Sequence, residues 1–271
     1  MPSPRVRQRY GLLTGFVFSQ TCLQAYADCP RSFQLRYIDR VIWPAAQAEP
    51  AIGIEMRQRE GQIFHGLVQQ HLLGLPAESL TPLANRPSVA RWWQNYLAAD
   101  LRLGGYTHHT EFRLSSPIGQ YRLLAKYDLL GLKDGAAIIF DWKTASRRPN
   151  DEWLAARWQT VVYRALLVHA GTQLNANQPV LPECVTMVYW FADFPSEPSS
   201  FVYDEGTYRR DWSAVELLVD TISSDSEFLP ANDAGRCPFC GYRSYCAQSE
   251  DPGRHAETDL QNDPAFDSTF D

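Results

Sequence analysis

Between His109 and Thr144 the hydrophobic pattern of this chain changes period, and that change limits the folds open to it. Three stretches, His109–Ser115, Tyr121–Leu132 and Ala137–Thr144, have the β-branched and aromatic content of strands. Pro117-Ile118-Gly119 turns the first into the second, and Lys133-Asp134-Gly135 turns the second into the third. On either side the period is helical. Ser19 is placed to cap a helix over about Thr21–Ile38, and further helices are expected over Glu55–Leu73 and Val89–Leu103. After the meander come a helix over about Asp151–Ala170, strands at Val185–Ala192 and Phe201–Asp204, and a helix over Trp212–Ser223. Helices, a three-stranded meander, a helix and another strand form an α/β order in which helices can cover the sheet.

The meander also holds the residues best suited to chemistry. Asp128 lies within the second strand, and Asp141-Trp142-Lys143 ends the third. The tight turn between these strands sets them side by side, so Asp128 and Asp141 can converge on one hard cation, Mg²⁺ or Mn²⁺. Alternation along the strand puts Asp141 and Lys143 on one face with Trp142 on the other. A lysine beside two carboxylates can orient an attacking water and offset charge on a phosphate. An isolated D-x-K is more often a salt bridge at a strand end, so other features have to carry weight. Gln159 and Tyr163 are spaced i and i+4 on one helical face, where an amide and a phenol can hold a phosphate or stack on a base. His65 flanks the apolar stripe of its helix and is a candidate third metal ligand. Glu111, on the first strand, is a weaker candidate for the same site.

A second group is made of cysteines. Cys237-Pro238-Phe239-Cys240 and Cys246 form C-x2-C-x5-C, and Cys29, followed by Pro30, can supply a fourth thiolate. Four thiolates suit either a 4Fe–4S cluster or structural zinc, and the spacing does not choose between them. Cys22 and Cys184 lack partner spacing and read as small buried apolar residues.

The net charge of −6 comes from one end. Residues 247–271 hold seven acids and one base; removing them from totals of 31 and 25 leaves 24 of each in residues 1–246. A neutral body argues against binding duplex DNA through a broad basic face, and the acidic segment reads as a disordered tail. No stretch has the run of about 20 apolar residues that a membrane helix needs. Arg5, Arg7 and Arg9 precede an apolar run at Gly11–Phe18, but no small-residue cleavage site follows it. A cytoplasmic protein is expected, where cysteines stay reduced or bind metal.

Taken in order, these motifs resemble those of the PD-(D/E)XK nucleases, in particular the RecB-like branch whose members carry an iron–sulfur cluster. That branch includes the nuclease domain of AddB and CRISPR-associated exonucleases. The resemblance covers about Phe18 to Cys246. It rests on YADCPRSFQLRY around Cys29, GQIFHGLV around His65, LLAKYDLLG around Asp128, IIFDWKT around Asp141 and Lys143, QTVVY for Gln159 and Tyr163, and CPFCGYRSYC for the last three cysteines. Tyr127 stands where the superfamily's name implies Pro, a variation the branch accommodates.

The resemblance implies a restriction-endonuclease-like core sheet flanked by helices. An iron–sulfur subdomain would form from residues 18–40 and 225–246, with an N-terminal arm (1–17) and the acidic tail (247–271) outside the nuclease domain. It implies a Mg²⁺ or Mn²⁺ site made by His65, Asp128, Asp141 and the Trp142 carbonyl, with Lys143 orienting water and Gln159 and Tyr163 positioning a DNA strand. It also implies a 4Fe–4S cluster on Cys29, Cys237, Cys240 and Cys246. The expected activity is exonucleolytic hydrolysis of single-stranded DNA ends, in repair and recombination with a helicase partner or in CRISPR adaptation. The rival reading is a non-catalytic DNA-binding or assembly subunit that keeps the fold for shape; a zinc-stabilised adaptor is a weaker third.

Overall fold

The computed structural model describes residues 12–13, 15–41, 49–231, 237, 240–242, 245 and 246; the arm before residue 12 and the acidic tail lie outside the described residues. In chain order the elements are β1 (Val17–Ser19), α1 (Gln20–Asp28), α2 (Pro30–Phe33) with a π-helical turn over Gln34–Ile38, α3 (Glu49–Leu72), α4 (Ala77–Leu80), α5 (Pro87–Ala98), β2 (Thr107–Ile118), β3 (Tyr121–Lys133), β4 (Ala136–Lys143), α6 (Asp151–Ala155), α7 (Trp158–Ala170), β5 (Val185–Phe191), β6 (Phe194–Val202) and α8 (Glu205–Ser224). The described strands make one six-stranded sheet in the order β1-β3-β4-β5-β6, with β2 also paired to β3.

The meander forms as its turns require. Ile118 pairs with Tyr121 across Gly119-Gln120, and Gly119 takes a φ of 54°. Lys133 pairs with Ala136 across Asp134-Gly135, whose φ values of 48° and 83° belong to a two-residue hairpin turn. From β4 the chain crosses through α6 and α7 and returns as β5, parallel to β4. A parallel neighbour demands such a crossover. Helices therefore cover both faces, which explains why β4 is apolar almost throughout before its terminal Asp-Trp-Lys. One core joins α1, α7 and α8 to the sheet through Tyr127, Ile139, Met187, Tyr189 and Phe191. The other joins α3 and α5 through Leu129, Phe140, Trp142, Val188 and Trp190.

Two expected helices are broken. The first divides at Cys29, which is extended at φ −165° and ψ 109°. Pro30 opens α2 and disfavours helical backbone in the residue before it. The helix expected over Asp151–Ala170 splits into α6 and α7, with Arg157 extended between them. The strand expected at Phe201–Asp204 begins earlier, at Phe194, because it pairs antiparallel with β5. The helix expected over Trp212–Ser223 starts at Glu205, where the Asp204 carboxylate accepts from the Thr207 N–H at 2.7 Å. The short β1 went unanticipated; it adds to β3 in parallel, Val17 opposite Arg122. Among the described residues no helix is long and apolar enough to cross a membrane.

Candidate active site

The site is assembled at the ends of β3 and β4, between α3 on one side and α7 on the other. In a regular strand, residues two apart share a face. Here Tyr127 packs with the α7 core and Leu129 with the α3 core, so β3 changes face at Asp128. The partner strand is irregular at the matching place. Between the paired positions Thr110–Leu129 and Phe112–Tyr127 lies Glu111, with a φ of 52°. Left-handed backbone on a residue other than glycine costs about 1–3 kcal/mol and tends to occur at functional sites. The kink drives the Asp128 side chain toward β4, where its Oδ2 accepts from the Trp142 N–H at 2.9 Å.

From α3, His65 Nδ1 reaches to 3.5 Å from the same Asp128 oxygen. Among the described residues, His65, Glu111 and Asp128 are the one trio whose metal-binding atoms all lie within 4.8 Å of one another. Hard carboxylate oxygens with one imidazole nitrogen suit Mn²⁺ or Mg²⁺. Glu111 also pairs with Lys126, on the strand beside it. Burial by itself would push the Asp128 carboxyl up. The His65 charge and hydrogen bond, the Trp142 N–H and the Lys143 charge outweigh it and hold the group below its ordinary range, so the carboxylate is kept ionised.

The third strand supplies the other half. Asp141 and Lys143 point to the α7 side and Trp142 to the α3 side, as alternation requires. Lys143 Nζ lies 2.7 Å from Asp141 Oδ2. The Gln159 amide spans the pair: its Nε2 donates to Asp141 Oδ1 at 2.6 Å, and its Oε1 accepts from Lys143 Nζ at 3.0 Å. Lys143 also stands over the Tyr189 ring, 5.2 Å from its centroid. Asp141 is 1% and Lys143 7% exposed, so the ammonium is held in place by its partners rather than by water.

The structure thus brings His65, Glu111 and Asp128 into one group and Asp141, Lys143 and Gln159 into another, linked by the Asp128–Trp142 bond. For Gln159 and Tyr163 it gives internal partners in place of the open helix face expected to meet DNA. Tyr163 is buried; its hydroxyl donates to the Lys126 carbonyl at 2.5 Å and accepts from Gln20 Nε2 at 3.2 Å. Burial first, then the charges of Asp141 and Asp128, raise this phenol well above its ordinary range, so it remains a neutral donor. Tyr189 and Gln20 were missed in the sequence. Tyr189 pairs with Asp141 only through the parallel β4–β5 register. Gln20 could have been suspected as one of two glutamines, with Gln24, a helical turn apart.

Cys29, Cys237 and Cys246 each lie near enough to Cys240 to act on its charge. Cys29 forms the corner between α1 and α2, while Cys237, Cys240 and Cys246 are half-buried. Burial raises the Cys240 thiol above its ordinary range; the Tyr242 N–H opposes this, and the nearby Cys29, Cys237 and Cys246 add to it.

A profile of the PD-(D/E)XK nuclease superfamily matches residues 17–247, and the chain belongs to that superfamily. Its central sheet flanked by helices is the corresponding restriction-endonuclease-like fold. Among solved structures it is similar to SSO0001, at 12% identity over 86% of each chain with a TM-score of 0.40. It is also similar to a Eubacterium rectale protein provisionally named an exonuclease, at 10% identity over 75% of this chain and 79% of that one, TM-score 0.46. A search of curated proteins returned no match.

Proposed function

We propose that this protein is a divalent-metal-dependent deoxyribonuclease of the RecB-like branch, acting as an exonuclease on single-stranded DNA ends. The observation that carries the reading is the Asp141–Lys143–Gln159 arrangement next to the His65–Glu111–Asp128 trio. His65, Glu111 and Asp128 would hold Mg²⁺ or Mn²⁺, with Asp141 and the Trp142 carbonyl as further oxygen donors from β4. Bound there, the ion supplies positive charge against the negative charge that develops on the scissile phosphate. Lys143, fixed by Asp141 and Gln159, orients the attacking water and offsets phosphate charge. Gln159 and Tyr163 act by holding this machinery rather than by lying along the strand. Gln159 fixes Lys143 directly, and Tyr163 fixes the backbone of β3 two residues before Asp128.

The cysteines support a second cofactor, a 4Fe–4S cluster on Cys29, Cys237, Cys240 and Cys246. Structural zinc would use the same four thiolates, and the choice of iron rests on the family resemblance. The cluster's role would be to tie the N-terminal helices to the C-terminal segment.

The test is incubation of the purified protein with end-labelled DNA, single- and double-stranded, with and without Mn²⁺. Cleavage should require the metal, and Lys143→Ala and Asp128→Asn should each lower it by at least about 100-fold. Cleavage by either variant at the wild-type rate would show the site to be misassigned. DNA binding without cleavage, in wild type and variants alike, would favour the assembly-subunit reading.

A further inference from the structure

The Lys143 amide partner sits on a helix with no cap of its own. Gln159 is the second residue of α7, and the N-cap position of that helix, Arg157, makes no side-chain capping bond. The first N–H groups of a helix have no partner within it and must find one elsewhere. For α7 the partner comes from another element: Gln24 Oε1, on α1, accepts from the Trp158 N–H at 3.2 Å. The Gln24 amide is itself oriented, its Nε2 donating to Asp28 Oδ1 at 2.9 Å. One turn earlier on α1, the buried Gln20 donates to the Tyr163 hydroxyl, one turn later on α7. Helix α1 therefore grips α7 at two levels, on either side of Gln159. Its first turn is held by the Ser19 cap, and it ends at the extended Cys29.

We infer that Gln24 is a positioning residue for the active site: by capping α7 in trans it sets where the Gln159 amide lies, and so where Lys143 and Asp141 are held. The kinetic part of this inference rests on the nuclease reading; the structural part does not. A residue that merely stabilised the fold would loosen the protein generally, and its effect would not depend on Gln159.

The experiment compares Gln24→Met, which keeps the length and loses the acceptor, with Gln24→Glu made together with Asp28→Asn, which keeps an acceptor oxygen where negative charge is favoured and removes the carboxylate that would otherwise face it. Amide hydrogen exchange should rise about fivefold in the first turn of α7 in Gln24→Met, the size expected for the loss of one helix cap. It should stay near wild type in that turn in the Gln24→Glu, Asp28→Asn protein and in α8 in both variants. In DNA cleavage, Gln24→Met should lower kcat about three- to tenfold with KM unchanged, as expected for a residue that only orients the reacting groups. In a Gln159→Ala background the same change should cost nothing further. Unchanged exchange in the first turn of α7, equal loosening by Met and Glu, or a full additional loss without Gln159 would each overturn the inference. If the wild type cleaves no DNA, the nuclease reading falls, and exchange alone still decides whether Gln24 holds α7.

Discussion

Gly61 offers a quantitative test of how the His65 helix is seated. It lies one turn before His65 on α3, where the helix passes the end of β4. A Cβ added at Gly61 would stand 2.8 Å from Thr144 Oγ1 and 3.8 Å from Thr144 Cβ. The Thr144 backbone cannot simply retreat, because its carbonyl accepts from Arg57 Nε at 2.6 Å, on the same helix, and Oγ1 can make room only by leaving its rotamer. Gly66, five residues on in α3, would meet nothing within 4 Å. Both positions would gain about 1 kcal/mol of helix propensity from alanine. At Gly66 that gain stands alone, so Gly66→Ala should stabilise the protein by about that amount. At Gly61 overpacking costs about 1–3 kcal/mol, which cancels or exceeds it. Gly61→Ala should therefore come out about 1–3 kcal/mol less stable than Gly66→Ala in urea unfolding followed by tryptophan fluorescence. Thr144→Ala removes the blocking hydroxyl and should restore most of the difference in the double variant. Because His65 rides on the displaced turn, Mn²⁺ affinity measured by calorimetry should fall with Gly61→Ala and recover with Thr144→Ala. Equal stabilisation by both alanines, or no rescue from Thr144→Ala, would show that the close approach at Gly61 does not fix α3.

Tyr163→Phe should destabilise the fold by about 1–3 kcal/mol, because it strips a buried carbonyl and the Gln20 amide of their partner; DNA affinity measured by fluorescence anisotropy should not change, and the opposite pattern would return Tyr163 to the DNA interface. Asp193 accepts from Arg57, Arg91 and Trp92, and these bonds, against the upward push of burial, hold its carboxyl below the ordinary range. With a depressed folded value, its contribution is present above the unfolded carboxylate range of about 3.9 and is lost as pH falls through the folded value. Asp193→Asn should thus lower stability at neutral pH and flatten the acid limb below about pH 4, read from urea unfolding across pH; an unchanged acid limb would rule this pair network out as a source of acid sensitivity. Cys29→Ala should remove bound iron and lower the melting temperature, whereas Cys22→Ala and Cys184→Ala should keep the iron; stoichiometric zinc in anaerobically purified, iron-supplied protein would displace the cluster assignment and leave the nuclease one intact.

What residues 1–271 determined by themselves is what local chemistry decides. Asp134-Gly135 closes a hairpin because those two residues accept positive φ, and strand alternation separates Asp141 and Lys143 from Trp142. Helix covering of the sheet follows from the order of periods along the chain. The break at Cys29 was also written locally, in Pro30, although the longer apolar pattern masked it. Tertiary structure alone decided how these pieces meet. Glu111 joins His65 and Asp128 because β2 and β3 kink together, and no pattern in either strand encodes a φ of 52° on a glutamate. Tyr189 lies beside Asp141 only after a parallel crossover brings β5 to β4. Tyr163 looked like a surface residue from its spacing. It is buried because it packs on β3, at Tyr127 and Lys126, and meets α1 at Gln20, 143 residues earlier. Spacing along a helix reports which side chains share a face; what covers that face depends on contacts between segments far apart in the chain.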